Sequence, residues 1–256
     1  MKKNFLWNKL KVSLIKLNID YENLRNSNIL ITGGTGFVGS WIIHSLALIN
    51  DLKKLKLKIT IITSNPENKN KYSYLNKLVK ISYQVEDIND IEPINYKYTH
   101  IIHGAAVYKG TKKDIYNVNV KGTKKIINLI RENNIKNIVF LSSGAVYKKK
   151  KSLKLTEKSK INPNTFNKTY ESSKIQGERL LTNYFKQRKG INLNILRLFS
   201  FSGAGTSSLN YSAYSNFIDS KFKGEDIFLK SNGLGVRSYM SSIDMACWII
   251  KSLSFK

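Results

Sequence analysis

Tyr170 and Lys174 stand four residues apart in the stretch TYESSK, so on a helix they share one face with adjacent side chains. A cation beside a phenol favours the phenolate and lowers its pKa from about 10, making tyrosine a usable proton acceptor near neutral pH. Alone, such a pair is commonly a helix surface contact. Upstream, VFLSSGAVYKKKK (139–151) closes an apolar run with Ser142 and Ser143, where a buried strand would deliver a hydroxyl at its end. Further upstream, NILITGGTGFVGSW sets Gly33, Gly36 and Gly39 between an apolar run and a helical pattern. Gly33 permits a tight turn, Gly36 lets the backbone approach a pyrophosphate, and Gly39 allows close helix packing. The unpaired N–H groups and positive dipole end of the following helix face the phosphates.

A dinucleotide fold normally carries an acidic residue about 20 positions after the glycine turn, on the ribose 2′-hydroxyl. Here Thr63, Ser64 and Asn65 stand at that strand end. NAD and NADP both stay open: Ser64 and Asn65 suit either ribose, and Lys69 is within chain reach of a 2′-phosphate, although an exposed lysine is more often plain surface.

The elements that must position these groups are legible as apolar β-branched runs alternating with helical patterns, the signature of a parallel sheet covered by helices. Strands are expected at 28–32, 57–63, 79–85, 100–104, 137–142 and 192–199, and helices near 37–50, 112–133 and 166–188, the last preceded by the turn and cap residues Asn162, Pro163 and Asn164. The fold class is α/β, a Rossmann-type doubly wound parallel sheet with a small, shortened C-terminal substrate lobe. Three segments follow: a helical extension over 1–27, a dinucleotide-binding domain over 28–199 and a partial substrate lobe over 200–256.

A length of 256 residues suffices for a sizeable core. Cys247 is the single cysteine, which excludes an intramolecular disulfide, and three histidines leave little material for a metal site, so none is expected. The setting is read as reducing and cytoplasmic. Lys9, Lys11 and Lys16 interrupt the first apolar stretch, against a signal peptide, and WIIHSLALI is about half the roughly 20 residues of a membrane span. The net charge of +26 raises the question of a polyanion, but the lysines are scattered along the chain, and no specific nucleic-acid partner is read from them. Lys148 to Lys151 read as a solvated loop.

In their order, these parts resemble the extended short-chain dehydrogenases/reductases, the NAD-dependent epimerase/dehydratase family of nucleotide-sugar enzymes. TGGTGFVG is similar to the family's TGxxGxxG turn, which puts Phe37 and Val38 with the three glycines on the cofactor. EDIND resembles the third-strand end, placing Asp87 and Ile88 against adenine; HGAA resembles the HxAA segment, with Ala105 and Ala106 along the cofactor; NVNVKGT resembles the helix bearing Asn119, Gly122 and Thr123. SSGAVY looks like SSxxVY, with Ser143 as hydroxyl partner of the substrate and Ser142 beside it. YESSK is the YxxxK pair, and RSYMSSIDMA resembles the late segment in which Arg237 holds a nucleotide-sugar diphosphate. LRLFSFSGAG resembles the substrate loop, with Ser200 where the family has Asn and Gly203-Ala204 where it has Gly-Pro.

The resemblance implies that Tyr170 takes the proton from a sugar hydroxyl, commonly at C4, while hydride passes to NAD, or to NADP, which is not excluded. Ser143 bonds the same oxygen, and Lys174 orients the nicotinamide ribose. In dehydratases and decarboxylases an acidic residue follows the strand-end hydroxyl. Gly144 and Ala145 follow it here, which favours an epimerase working through a transient 4-keto sugar. An NADPH-dependent ketosugar reductase and a truncated, non-catalytic dinucleotide-binding protein remain alternatives. A homodimer through helices 112–133 and 166–188 is also implied.

Overall fold

The computed structural model describes residues 2–91, 97–148, 154–161, 169–186, 188–205, 213–229, 232 and 236–255. The Asn162–Pro163–Asn164 cap and Lys149 to Lys151 lie outside them. Six parallel strands form the main sheet: β1 (Asn28–Thr32), β2 (Lys58–Thr63), β3 (Lys80–Val85), β4 (His100–His103), β5 (Asn137–Ser143) and β6 (Asn192–Leu198). Their order is β3-β2-β1-β4-β5-β6, the doubly wound Rossmann arrangement, with its switch point between β1 and β4.

The apolar runs are continuous because both faces of the sheet are covered. Ile29, Ile31, Ile59, Ile61, Ile102, Val139 and Leu141 enter one core. Their neighbours Leu30, Ile62, Ile101, Ile138 and Phe140 enter the other, as the two-residue period of a strand requires. The first core is roofed by α1 (Lys2–Lys16) and α2 (Phe37–Lys53). On the opposite face a helical run opens with α3 (Lys112–Tyr116), passes through a π-helical turn at Asn117–Lys121 and continues as α4 (Gly122–Glu132). Beside it lies α5 (Tyr170–Phe185), started by a capping box of Thr169 and Ser172.

The later residues form β7 (Ser200–Ser202), α6 (Ala213–Lys223), β8 (Tyr239–Ser241) and α7 (Ser242–Ser254), with β7 and β8 paired in parallel. Elements from the two flanking segments pack on the main sheet. Leu10 and Leu14 of α1 are 1% exposed within the first core, and α7 adds Met245, Ile249 and Leu253 to the same core. The Asn137 side-chain amide also reaches the carbonyls of Ser252, Leu253 and Phe255. Residues 242–254 thus cover part of the same sheet face. Among the described residues no helix is long and apolar enough to cross a membrane.

Candidate active site

The expected cofactor turns, Ser143 and the strand leading to the late substrate loop gather at the C-terminal ends of the parallel strands, the side on which open α/β sheets hold ligands. At the switch point two turns touch. Gly33 has φ +72, and a methyl group there would press on the backbone of Gly104 and Ala105 at 2.7 Å, so only glycine fits. Thr32 Oγ1 accepts the N–H groups of Gly104 and Ala105 at 3.2 and 3.1 Å and pairs with His103 Nδ1 at 2.8 Å. His103 Nε2 meets Thr123 Oγ1 at 2.9 Å. Burial and then the Lys174 charge push His103 down to about 3, so it stays neutral and serves as a strut.

Gly36 is exposed at the N-cap of α2, and an added methyl would meet only Gly33 O, at 3.4 Å. Protein packing alone does not demand glycine there, whereas close approach of a phosphate does. Phe37 and Val38 supply first-turn N–H groups, which a helix leaves without internal partners. A side chain at Gly39 would collide with the Gly33 carbonyl, as expected for tight helix packing. These features fit a dinucleotide pyrophosphate.

The remaining cofactor expectations divide. Ser64 and Asp87 are exposed at the ends of β2 and β3, and Asp87 accepts both the backbone and side-chain N–H groups of Asn89 at 2.8 Å. Ala105 and Ala106 line the turn after β4. Ile88, expected against adenine, is instead 6% exposed and packed on Gly122, where a methyl would strike its side chain at 2.9 Å. Asn119, expected on the cofactor, accepts Val107 N–H at 2.8 Å and donates to Val107 O at 2.9 Å and Ser173 Oγ at 2.8 Å. Seated in the π-turn, it ties the loop after β4 to α5.

The reacting groups come together. Ser143 ends β5 with its hydroxyl near enough to the Tyr170 phenol to favour the phenolate, and it accepts Ala145 N–H at 3.2 Å. Lys174 Nζ lies 5.9 Å from the Tyr170 ring centre and 5.1 Å from that of Phe140, and donates to Leu141 O at 2.8 Å. Burial brings this lysine down to about 8, with Glu178 opposing the shift. The anticipated lowering of the Tyr170 pKa is not what this geometry gives. Burial raises it, the nearby Ser143 hydroxyl lowers it, and Glu171 raises it further, the balance being upward.

Ser142, expected beside Ser143 on the substrate, turns inward. It is 3% exposed and donates to Glu178 Oε1 at 2.5 Å. Glu178 is also gripped by Arg197 through Nε at 3.0 Å and Nη2 at 2.7 Å, and Arg197 Nη1 reaches Tyr147 Oη at 3.2 Å. The carboxylate holds the guanidinium well above its ordinary value. Glu178 escaped the sequence reading, although it extends the Tyr170–Lys174 spacing by another four residues.

The two late substrate expectations share the small sheet. Ser200 opens β7 opposite Tyr239 of β8, and the exposed Arg237 precedes Tyr239 by two residues, donating to Val236 O at 2.9 Å. Since β6 pairs Leu198 with Ser143, β7 begins just beyond the strand end that carries Ser143. The loop after β7 returns to the glycine turn: Trp41 Nε1 donates to Ala204 O at 3.2 Å, and Phe37 lies 6.4 Å from Phe201.

The sequence matches the profile of the NAD dependent epimerase/dehydratase family over residues 29–255. The chain belongs to that family. It is 31% identical over 236 residues to a putative UDP-glucose 4-epimerase of Methanocaldococcus jannaschii, covering 89% of this chain and 74% of that protein. UDP-glucuronic acid decarboxylase 6 of Arabidopsis thaliana is 26% identical over 227 residues, covering 86% and 64%. Among solved structures, the UDP-N-acetylglucosamine 4-epimerase from Methanobrevibacter ruminantium M1 shares the fold at a TM-score of 0.74 and 24% identity, over 90% of this chain and 73% of that one. No acidic residue directly follows Ser143 in this chain. A side chain at Gly144 would enter the Phe199 ring at 2.7–2.8 Å, and that ring stacks on Tyr147 with centres 6.2 Å apart.

Proposed function

We propose that this protein epimerises the C4 carbon of a nucleotide-diphosphate hexose, most simply a UDP-sugar, with NAD as a resident cofactor. The observation that carries the reading is the Ser143–Tyr170 hydroxyl pair with Lys174 beneath it, set at the strand ends next to the glycine turn. Tyr170 would accept the proton of the sugar hydroxyl as its phenolate, the form that burial disfavours and that the Ser143 hydroxyl and the Lys174 cation favour, while Ser143 hydrogen-bonds that oxygen. A dinucleotide held there would supply the reversible hydride acceptor that inversion at C4 needs. Lys174, at about 8, is largely protonated at neutral pH and keeps a cation beside the phenol. The glycine turn with Phe37 and Val38 would hold the pyrophosphate, Asp87 the adenosine end, and Lys174 the nicotinamide ribose. Arg237 answers the substrate diphosphate.

Gly144 and Ala145 support epimerisation over elimination or decarboxylation, because no carboxylate follows Ser143 and Phe199 fills the space beside residue 144. Proton NMR of UDP-glucose and of UDP-N-acetylglucosamine, each with catalytic NAD, tests the reading. Each C4 epimer should accumulate to equilibrium, and Tyr170→Phe should stop it. Stoichiometric loss of the NADPH near-ultraviolet absorbance with a ketosugar would assign the reductase instead. The same reading carries a homodimer through the 112–132 and 170–185 helices, which a monomeric mass in light scattering would reject. It also carries a cytoplasmic location, supported by a lone, buried Cys247 whose thiol is pushed up to about 11 by burial.

A further inference from the structure

Among the described residues Glu178 is the only buried carboxylate, 5% exposed on α5. Standing four residues after Lys174 and eight after Tyr170, it stays on their face of the helix. A buried charge is costly until its neighbours satisfy it, and apolar side chains of similar volume often hold such elements together as well. Stability alone does not account for this carboxylate. Its Oε1 accepts the Ser142 hydroxyl of β5 at 2.5 Å, and Arg197 of β6 closes on both oxygens at 3.0 and 2.7 Å. Ser142 and Arg197 are themselves paired across the sheet, so one carboxylate bolts α5 to two adjacent strands at a single level. That level is the reacting one. Ser142 lies between Leu141, whose carbonyl takes the Lys174 ammonium at 2.8 Å, and Ser143, whose hydroxyl lies near Tyr170.

We propose that Glu178 is a positioning residue for the epimerisation: by locking Ser142 and Arg197 it makes the end of β5 present Ser143 to Tyr170 and the Leu141 carbonyl to Lys174. The inference rests on the epimerase reading above and adds to it a residue that acts through its neighbours. The charge of Glu178 has a second effect. The ionisable groups around Lys174 are Tyr170 and Glu178 on its own helix, His103 of β4 and, across Glu178, Arg197 of β6. His103 stays neutral, and Glu178 is the carboxylate that favours the ammonium.

Steady-state kinetics of the whole protein across pH, with UDP-glucose and UDP-N-acetylglucosamine and with rates counted per NAD-binding site, test this. Glu178→Gln keeps the shape and loses the charge. It should lower kcat by about tenfold or more with KM within about twofold, because small misplacements of reacting groups cost that much. The alkaline limb of kcat, set near pH 8 by Lys174, should move down by about one unit. Glu178→Asp, charged but shorter, should leave that limb in place and still lose rate. A double variant, Glu178→Leu with Arg197→Met, removes the ion pair as a whole and should regain the urea stability that Glu178→Gln loses, while its kcat stays low. If kcat returns with stability, or if Glu178→Gln turns over like the parent at every pH, Glu178 only holds the fold and the proposal is overturned. A parent protein that interconverts neither sugar removes the epimerase reading itself, and this inference with it.

Discussion

Beneath Tyr170 the polar groups are buried and each answers another: Ser142 to Glu178, Glu178 to Arg197, Lys174 to the Leu141 carbonyl. Along β7 and β8 the side chains stand in partial or full contact with water, and Arg237 touches only its neighbouring backbone among the contacts described. The first region fixes where a proton can go. Among the described residues the second has few such bonds to hold it. The contrast teaches that reaction type and substrate choice sit on different physical footings in one chain, the former on rigid strand ends and the latter on short exposed elements.

The comparison breaks most sharply at Tyr170. Tyr170→Phe removes the proton acceptor without disturbing a buried ion pair, so turnover should fall by about a hundredfold or more with dinucleotide affinity intact. Steady-state kinetics alongside NAD titration would separate the two. Glu178→Gln comes next. It leaves Arg197 without its carboxylate in a part-buried site, and urea unfolding should show a loss of about 3 kcal/mol, discounted toward ~2 by the guanidinium's 19% exposure.

A third test uses pH. Lys174 is depressed from 10.5 to about 8 by burial, so between those values the unfolded chain binds the extra proton and stability rises with pH. The penalty is complete below about 8 and gone above 10.5. Cys247, raised to about 11, has the opposite slope from pH 9 upward, so the clean window is pH 8 to 9. Lys174→Met should be more stable than the parent at pH 7, and the difference should shrink as pH climbs through that window. The smallest effect belongs to the exposed region: Arg237→Ala should raise KM about fivefold with kcat nearly unchanged, as removal of uniform binding does. A fall in kcat instead would mean that β8 takes part in positioning the reaction, and the contrast would not hold.

The sheet was legible because its strands are buried on both faces and therefore read as unbroken apolar runs, and the glycine turn because its constraints are local. Ser143, Tyr170 and Lys174 were legible because one strand end and one helix face suffice to place them. Directions were harder. Ser142 and Ser143 are adjacent in a strand, where successive side chains point to opposite faces, so pairing both with the substrate ignored the pleat. Asn119 and Ile88 turn inward for contacts with Val107, Ser173 and Gly122 that no spacing reveals. Glu178 depends on an arginine of another element. Long-range partners of this kind are set by topology and not by local pattern.

The placement of α7 has a kinetic corollary. Met245, Ile249 and Leu253 share one core with Ile102, Val139 and Leu141, which lie over a hundred positions earlier. During synthesis α1 and α2 are made early, but the part of that face over β5 and β6 waits for residues 242–254, so the nascent chain carries a partly uncovered β surface of the kind that chaperones hold and that aggregates when left alone.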